Sequence, residues 1–236
     1  MLPDISRCMD VLPIDAERTE YQTAIVTQNI LGKNTEATRK ESFRRLRELY
    51  SLAPSVPLFC LLRQMDALDR SARPLLCLLV ACARDPLLRA TMPVIQGARE
   101  GDGLGAADFD AALAKAFPGH LKDKIRAATA RHIASTWEQS GHLKGRATKS
   151  RVRVSATPVP LVLALMMGVM QGVHGSELFS TPWCQILDLN AVQARGLASQ
   201  AYREGLLDMK AIGDVVEVSF PKFHKALEAG GDHGAQ

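Results

Sequence analysis

The sequence predicts a mainly α protein: a helical bundle with two winged-helix-like units, each ending in a small β-hairpin. Three observations carry that expectation. Apolar residues recur at helical period through most of the 236 residues, as they do in amphipathic helices. The period gives way to strand-like alternation in two places, SGHLKGRATKSRVRVSATP and GLLDMKAIGDVVEVSFP, each directly after a long helical stretch. The two stretches also align. With Gly141 on Gly205, Ala127, Ala130 and Ala134 fall on Ala191, Ala194 and Ala198. Leu143 then falls on Leu207, and Val152 and Val154 on Val216 and Val218, without a gap. A helix followed by a wing, repeated, is the simplest structure behind such a register. The boundary is expected at Thr157–Pro160, giving an N-terminal helical domain over 1–157 and a C-terminal one over 158–236. The tail from Gly230 to Gln236 reads as frayed.

Each element has a local reason. Glu20 to Leu31 reads as a helix stopped by Gly32. Asn34 or Thr35 caps the next, ATRKESFRRLRELYSL, which buries Phe43, Leu46, Leu49 and Tyr50 and ends before Pro54. Helices follow at Val56–Leu68, Arg73–Ala83 and Asp85–Gln96, with Pro74 and Pro86 in first turns, where the missing N–H costs nothing. REGDGLGAAD, Arg99 to Asp108, has G-x-G-x-G spacing, but no strand precedes it and no Lys-Ser/Thr follows. It reads as a connector into a helix over Asp108–Phe117. A long helix from Leu121 to Gln139 sets Leu121, Ile125 and Ala128 on one apolar side, with Ala130, Ile133, Ala134 and Trp137 on another. Only a stripe of Lys124, Arg131, Ser135 and Glu138 is left for solvent. His132 falls on the Leu121/Ile125 side and reads as a buried structural histidine. A helix from Asn190 to Glu204 leads into the second hairpin.

The net charge of +4 is unevenly divided. Residues 1–119 carry 15 basic and 15 acidic side chains, and 156–236 carry five basic and eight acidic. Residues 120–155 carry nine basic (Lys122, Lys124, Arg126, Arg131, Lys144, Arg146, Lys149, Arg151, Arg153) against two acidic, Asp123 and Glu138. Concentrated positive charge on one helix and wing suits a duplex, which presents a phosphate every ~1.7 Å of axis. Arg146 and Lys149 at the wing tip, with Arg151 and Arg153 on one face of its second strand, suit phosphates. Lys124, Arg131 and Ser135 on the helix suit base edges. Arg39, Lys40, Arg44, Arg45 and Arg47 form a second basic patch, offset by Glu36, Glu41 and Glu48 through pairs such as Glu41–Arg45. Asp208, Asp214 and Glu217 make the second wing acidic, so the second unit reads as structural or protein-binding.

Other classes are disfavoured. Aromatic residues are 5% of the chain, few for platforms that stack single-stranded bases. The six histidines never pair with cysteine at zinc spacing, nucleophile and metalloprotease motifs are absent, and neither a cofactor nor a metal is expected. Asp108 and Asp110 open a helix, where acidic residues favour the dipole. Five cysteines, an odd number without C-x-x-C, point to a reducing, cytoplasmic compartment. Ala156–Val173 is apolar but interrupted by Thr157, Pro158, Pro160 and Gln171, and reads as a buried core helix rather than a membrane span.

The runs ESFRRLRELYSL, PLFCLLRQM and RPLLCLLVACARDPLLRATMPVI resemble the N-terminal half of the BrxA family of BREX bacteriophage-exclusion systems. IASTWEQSGHLKGRATKSRVRVSATPVPLVLALMMGVMQGVHGSELFSTPWCQILD resembles that family's most recognisable stretch, and GLLDMKAIGDVVEVSF fits its close. The resemblance covers about residues 20–220. It implies a mostly helical double-stranded DNA-binding protein with no enzymatic activity of its own, acting beside the system's methyltransferase and ATPase subunits. It places the DNA-facing positions at Trp137–Lys144 and along the wing to Arg153. The alternatives are a protein–protein scaffold docking through the acidic unit and a helical RNA-binding factor of the antitermination type.

Overall fold

The computed structural model describes residues 1–146, 148–212, 215–224 and 226, and it is mainly helical with small antiparallel hairpins. The N-terminus forms a helix the sequence did not announce, α1 (Leu2–Val11). Two arginines fasten it. Arg63 donates to the carbonyls of Met9 and Leu12, at 3.1 and 2.7 Å. Arg73 forks onto Asp66 at 2.6 and 2.8 Å and reaches Asp10 at 2.8 Å. The next helix is shorter than its apolar period. α2 (Arg18–Gln22) runs into a π-helical turn at Thr23–Thr27. Asn29 then takes a left-handed φ of 55°, its side chain accepting from the Lys33 N–H at 2.8 Å.

α3 (Glu36–Tyr50) is capped by Thr35, whose hydroxyl accepts from the Thr38 N–H at 3.2 Å, and buries Phe43, Leu46 and Tyr50. α4 (Pro57–Leu68) and α5 (Arg73–Arg84) both start with proline in their first turns, Pro74 in α5 as expected. The single helix expected over 85–96 is two, α6 (Pro86–Arg89) and α7 (Met92–Gly97). The break is fixed by buried Thr91, whose hydroxyl donates to the Leu88 carbonyl at 2.7 Å and accepts from the Trp137 indole at 3.0 Å.

The glycine-rich stretch is more than a connector: it supplies a strand, β1 (Gly103–Leu104). α8 (Ala106–Ala116) and α9 (Asp123–Gln139) follow, then β2 (Leu143–Lys144) and β3 (Lys149–Arg151). The antiparallel sheet has the order β1-β3-β2, with Leu104 opposite Lys149 and Leu143 opposite Arg151. Helix, strand, two helices and a hairpin, with the first strand on the outer edge of the wing, is a winged helix-turn-helix order of elements.

The second unit follows the same plan. α10 (Pro158–Met170) leads through a 3₁₀ segment at Gly175–Ser180 to α11 (Pro182–Gln185) and α12 (Ala191–Arg203). β4 (Asp208–Ile212) and β5 (Val215–Ser219) close it as an antiparallel hairpin. Part of the alignment holds: Ala130, Ala134 and Leu143 are buried, and so are Ala194, Ala198 and Leu207, whereas Val152 and Val154 lie past the end of β3 and Val216 and Val218 lie within β5. Both long helices end alike. Gly141 and Gly205 have φ of 89° and 65° and donate to the carbonyls of Glu138 and Tyr202. The next residues, His142 and Leu206, donate to those of Trp137 and Ala201. This is the Schellman pairing, which favours glycine at its left-handed position.

α10 is buried along Pro158–Gly168 and packs on α4 and α5 as well as on α11 and α12. Among the described residues no helix is long and apolar enough to cross a membrane. The buried apolar residues form one cluster that runs through both units. The five cysteines are free thiols, with all but Cys60 buried. The frayed tail expected from Gly230 and the Asp214 position of the second wing lie outside the described residues.

Candidate nucleic-acid interface

The nine cations of residues 120–155 sort into two groups. Lys122, at the N-cap of α9, and Lys124 and Arg131 along it are exposed, as are Lys144 and Arg146 on the wing. None of these five has a carboxylate within 4.0 Å among the described residues, so their charge is available to a partner. The other four are engaged. Arg126 is held between Asp110 at 3.0 Å and Asp123 at 2.9 Å. Lys149 is half-buried on Glu138, which ties the wing to α9. Arg153 is exposed, its guanidinium 3.9 Å from Asp188.

Arg151 corrects the expectation outright. Alternation over 151–154 suggested a basic strand face shared with Arg153, but β3 ends at Arg151 and the side chain turns inward, 3% exposed. It pairs with Asp188 and donates to the Ile95 carbonyl at 3.1 Å. Asp188 in turn accepts from the Val154 N–H at 2.8 Å and sits at a left-handed φ of 59°. One buried carboxylate from the second unit therefore anchors the first unit's wing. In the charge tally Asp188 is only one of the eight acidic residues of 156–236.

The wing turn is sterically fixed. Gly145 has φ +129°, and a Cβ there would lie 2.4 Å from the Thr148 carbonyl oxygen. The hairpin therefore needs glycine beside the exposed Arg146.

α9 is oriented by Ala130, Ile133, Ala134 and Trp137, all buried. The side expected to bury Leu121, Ile125 and His132 is open: Ile125 is 54% exposed, and His132 is exposed too. His132, Thr129, Ile133 and Thr136 instead line a cavity of ≈ 580 Å³ shared with Arg44, Arg84 and other residues of α3 and α5. Ser135 is half-buried and accepts from the Gln139 side chain at 2.9 Å, so its hydroxyl is only partly free for base edges.

The histidine held inside the fold is His142, just past the helix end. It is fully buried, with Nε2 2.7 Å from the Ile186 carbonyl and Nδ1 2.9 Å from the Ser140 hydroxyl. A carbonyl only accepts, so Nε2 carries the proton and Nδ1 is left as an acceptor facing the Ser140 hydroxyl, whose single proton is shared between Nδ1 and the Trp137 carbonyl 3.1 Å away. Burial pushes its pKa down to about 4, against the partial support of the Ile186 bond. The Trp137 indole packs edge-on at 5.2 Å.

The second basic patch is largely self-neutralised. Lys40 pairs with Glu36 at 2.7 Å, Arg44 with Glu41 and Glu48 at 2.8 and 2.5 Å, and Arg45 with Glu41 at 2.6 Å. Hydrogen bonds from Arg44 and Arg45 hold the Glu41 carboxyl down at about 2. Arg39 is half-buried, and exposed Arg47 has no carboxylate in range among the described residues.

Among the described residues no group of three His, Cys, Asp or Glu side chains is placed to hold a metal. Burial raises the Cys8 thiol to about 12 and the Cys184 thiol to about 11, which keeps them protonated at neutral pH. No family model, no curated protein and no solved structure matches the chain.

Proposed function

We propose that the protein is a non-enzymatic double-stranded DNA-binding protein that grips the phosphate backbone through α9 and its wing. The observation that carries the reading is the set of five exposed cations, Lys122, Lys124, Arg131, Lys144 and Arg146, without a carboxylate partner among the described residues, on one helix and hairpin of winged-helix order. The pairing of Arg151 and Lys149 supports it indirectly: these residues hold the hairpin in place and leave phosphate contact to their neighbours. The resemblance to BrxA proteins supplies the setting, an accessory subunit of a BREX phage-defence system acting in the cytoplasm beside other subunits of that system.

Five phosphate contacts would give a log–log salt slope of about −4.5, or roughly a 500-fold loss of duplex affinity between 50 and 200 mM salt. The test is a salt-titrated mobility shift on random-sequence duplex. The triple variant Lys124→Glu, Lys144→Glu, Arg146→Glu should keep its far-UV circular dichroism and flatten the slope to about −2. Unchanged binding by that variant would overturn the assignment. Arg151 is left out of the set because its loss would damage the fold.

A further inference from the structure

The second unit's long helix has a surface that its own fold does not explain. Ala194, Ala198 and Ala201 are buried and set its orientation. The outward positions are Val192, Gln193, Arg195, Gly196, Gln200, Tyr202 and Arg203, with Ser199 half-buried beside them and the Gln200 amide donating to the exposed Glu204 carboxylate at 2.9 Å. Val192 is 79% exposed, the highest value among the exposed large apolar residues. Arg195 lies over the Phe179 ring at 5.5 Å, and neither it nor Arg203 has a carboxylate in range among the described residues.

Gly196 is the sharpest anomaly. It lies mid-helix without a left-handed φ, and a Cβ there would meet nothing within 4 Å. Glycine in a helix interior is destabilising relative to alanine, and none of the described residues comes close enough to require it at this position. Close approach of an outside backbone would.

The register that superimposes Gly141 on Gly205 also lays Arg131 on Arg195 and Ser135 on Ser199. α12 therefore stands in its unit where α9 stands in the first, with the arginine of each pair exposed and the serine half-buried. Its chemistry differs. Arginine forks onto guanine, glutamine onto adenine, and a valine methyl meets that of thymine. The wing beside it exposes Asp208 and Glu217, which oppose phosphate.

We propose that α12 is a base-reading helix: it enters the major groove of a preferred duplex sequence and supplies selectivity, while α9 and the basic wing supply most of the affinity. This rests on the DNA-binding reading above. Arg195, Gln200 and Arg203 make the base contacts, and Gly196 admits the sugar–phosphate wall.

The experiment is selection of the full-length protein against a randomised duplex library, followed by titration of the enriched and a scrambled duplex. The wild type should enrich a defined motif. Arg195→Ala should lose ~5–150-fold on the enriched duplex and stay within about twofold on the scrambled one. Gly196→Ala should raise the melting temperature by ~2–4 °C and still weaken binding to the enriched duplex, a pairing that a misfolded variant cannot produce. An absence of any motif, or equal losses on both duplexes, overturns the proposal and leaves the phosphate-binding reading intact. Unchanged duplex binding by both variants overturns it in favour of a protein partner on this face. Failure of the wild type to bind any duplex overturns both readings.

Discussion

The two winged units share a skeleton and differ in what they show to solvent. Both bury an alanine-lined helix face, both end that helix in a Schellman glycine, and both follow it with a hairpin. The first surrounds that skeleton with five exposed cations that have no carboxylate partner among the described residues. The second exposes Asp208 and Glu217 on its wing and a mixed polar helix face above. Buried pattern and surface chemistry therefore vary independently, and function has to be argued from the surface. A subtler difference lies just past each helix, where the first unit buries His142 and the second buries Leu206.

The comparison can be broken hardest at Arg151, which exists only in the first unit and is held by the second. Arg151→Ala leaves the buried Asp188 carboxylate with only the Val154 N–H and the exposed Arg153 guanidinium 3.9 Å away, and should cost ~3–5 kcal/mol, read as a lower urea midpoint. A midpoint within error of wild type would mean that the clamp contributes nothing.

His142 separates the units by pH. Its pKa is lowered in the folded state, so between about 6.5 and about 4 the unfolded chain binds the extra proton. Stability is thus fully present above pH 6.5 and falls as pH drops through that window, by ~2–3 kcal/mol. His142→Leu, which makes the first unit like the second, should flatten this acid dependence. It should also lower stability at pH 7 by ~1–3 kcal/mol, because the Ile186 carbonyl loses its donor. Urea midpoints from pH 4.5 to 7.5 for both proteins decide it; an unchanged slope in the variant would remove His142 as the cause.

The smallest effect sharpens the charge contrast. Asp208→Lys with Glu217→Lys should convert the second wing to a phosphate-binding one, steepening the salt slope by about 2 and raising low-salt affinity by roughly tenfold. Mobility shifts at 50 and 200 mM salt measure it, and an unchanged slope would place that wing away from the duplex.

What could be read from sequence was what neighbouring residues decide. Proline in first turns located α5 and α6, and glycine located the ends of α9 and α12. The strand β1 was invisible because two residues have no period of their own; Gly103 and Leu104 are strand only because Ser150 and Lys149 lie opposite. Arg151 was misread for the same reason, since its partner lies 37 residues away. Ile125 and His132 had the spacing of a buried face, but spacing does not supply a neighbour to cover it. The basic set at 120–155 was legible as composition; which five of its members lack a carboxylate partner among the described residues was not.

The placement of α10 has an energetic consequence. Its apolar surface is covered partly by α4 and α5 and partly by α11 and α12. Opening either unit therefore uncovers the same buried helix, and the free energy lost is charged to both. The two wings differ in chemistry, yet with α10 common to both units they are expected to melt as a single cooperative transition, a substitution in one shifting the midpoint of the whole.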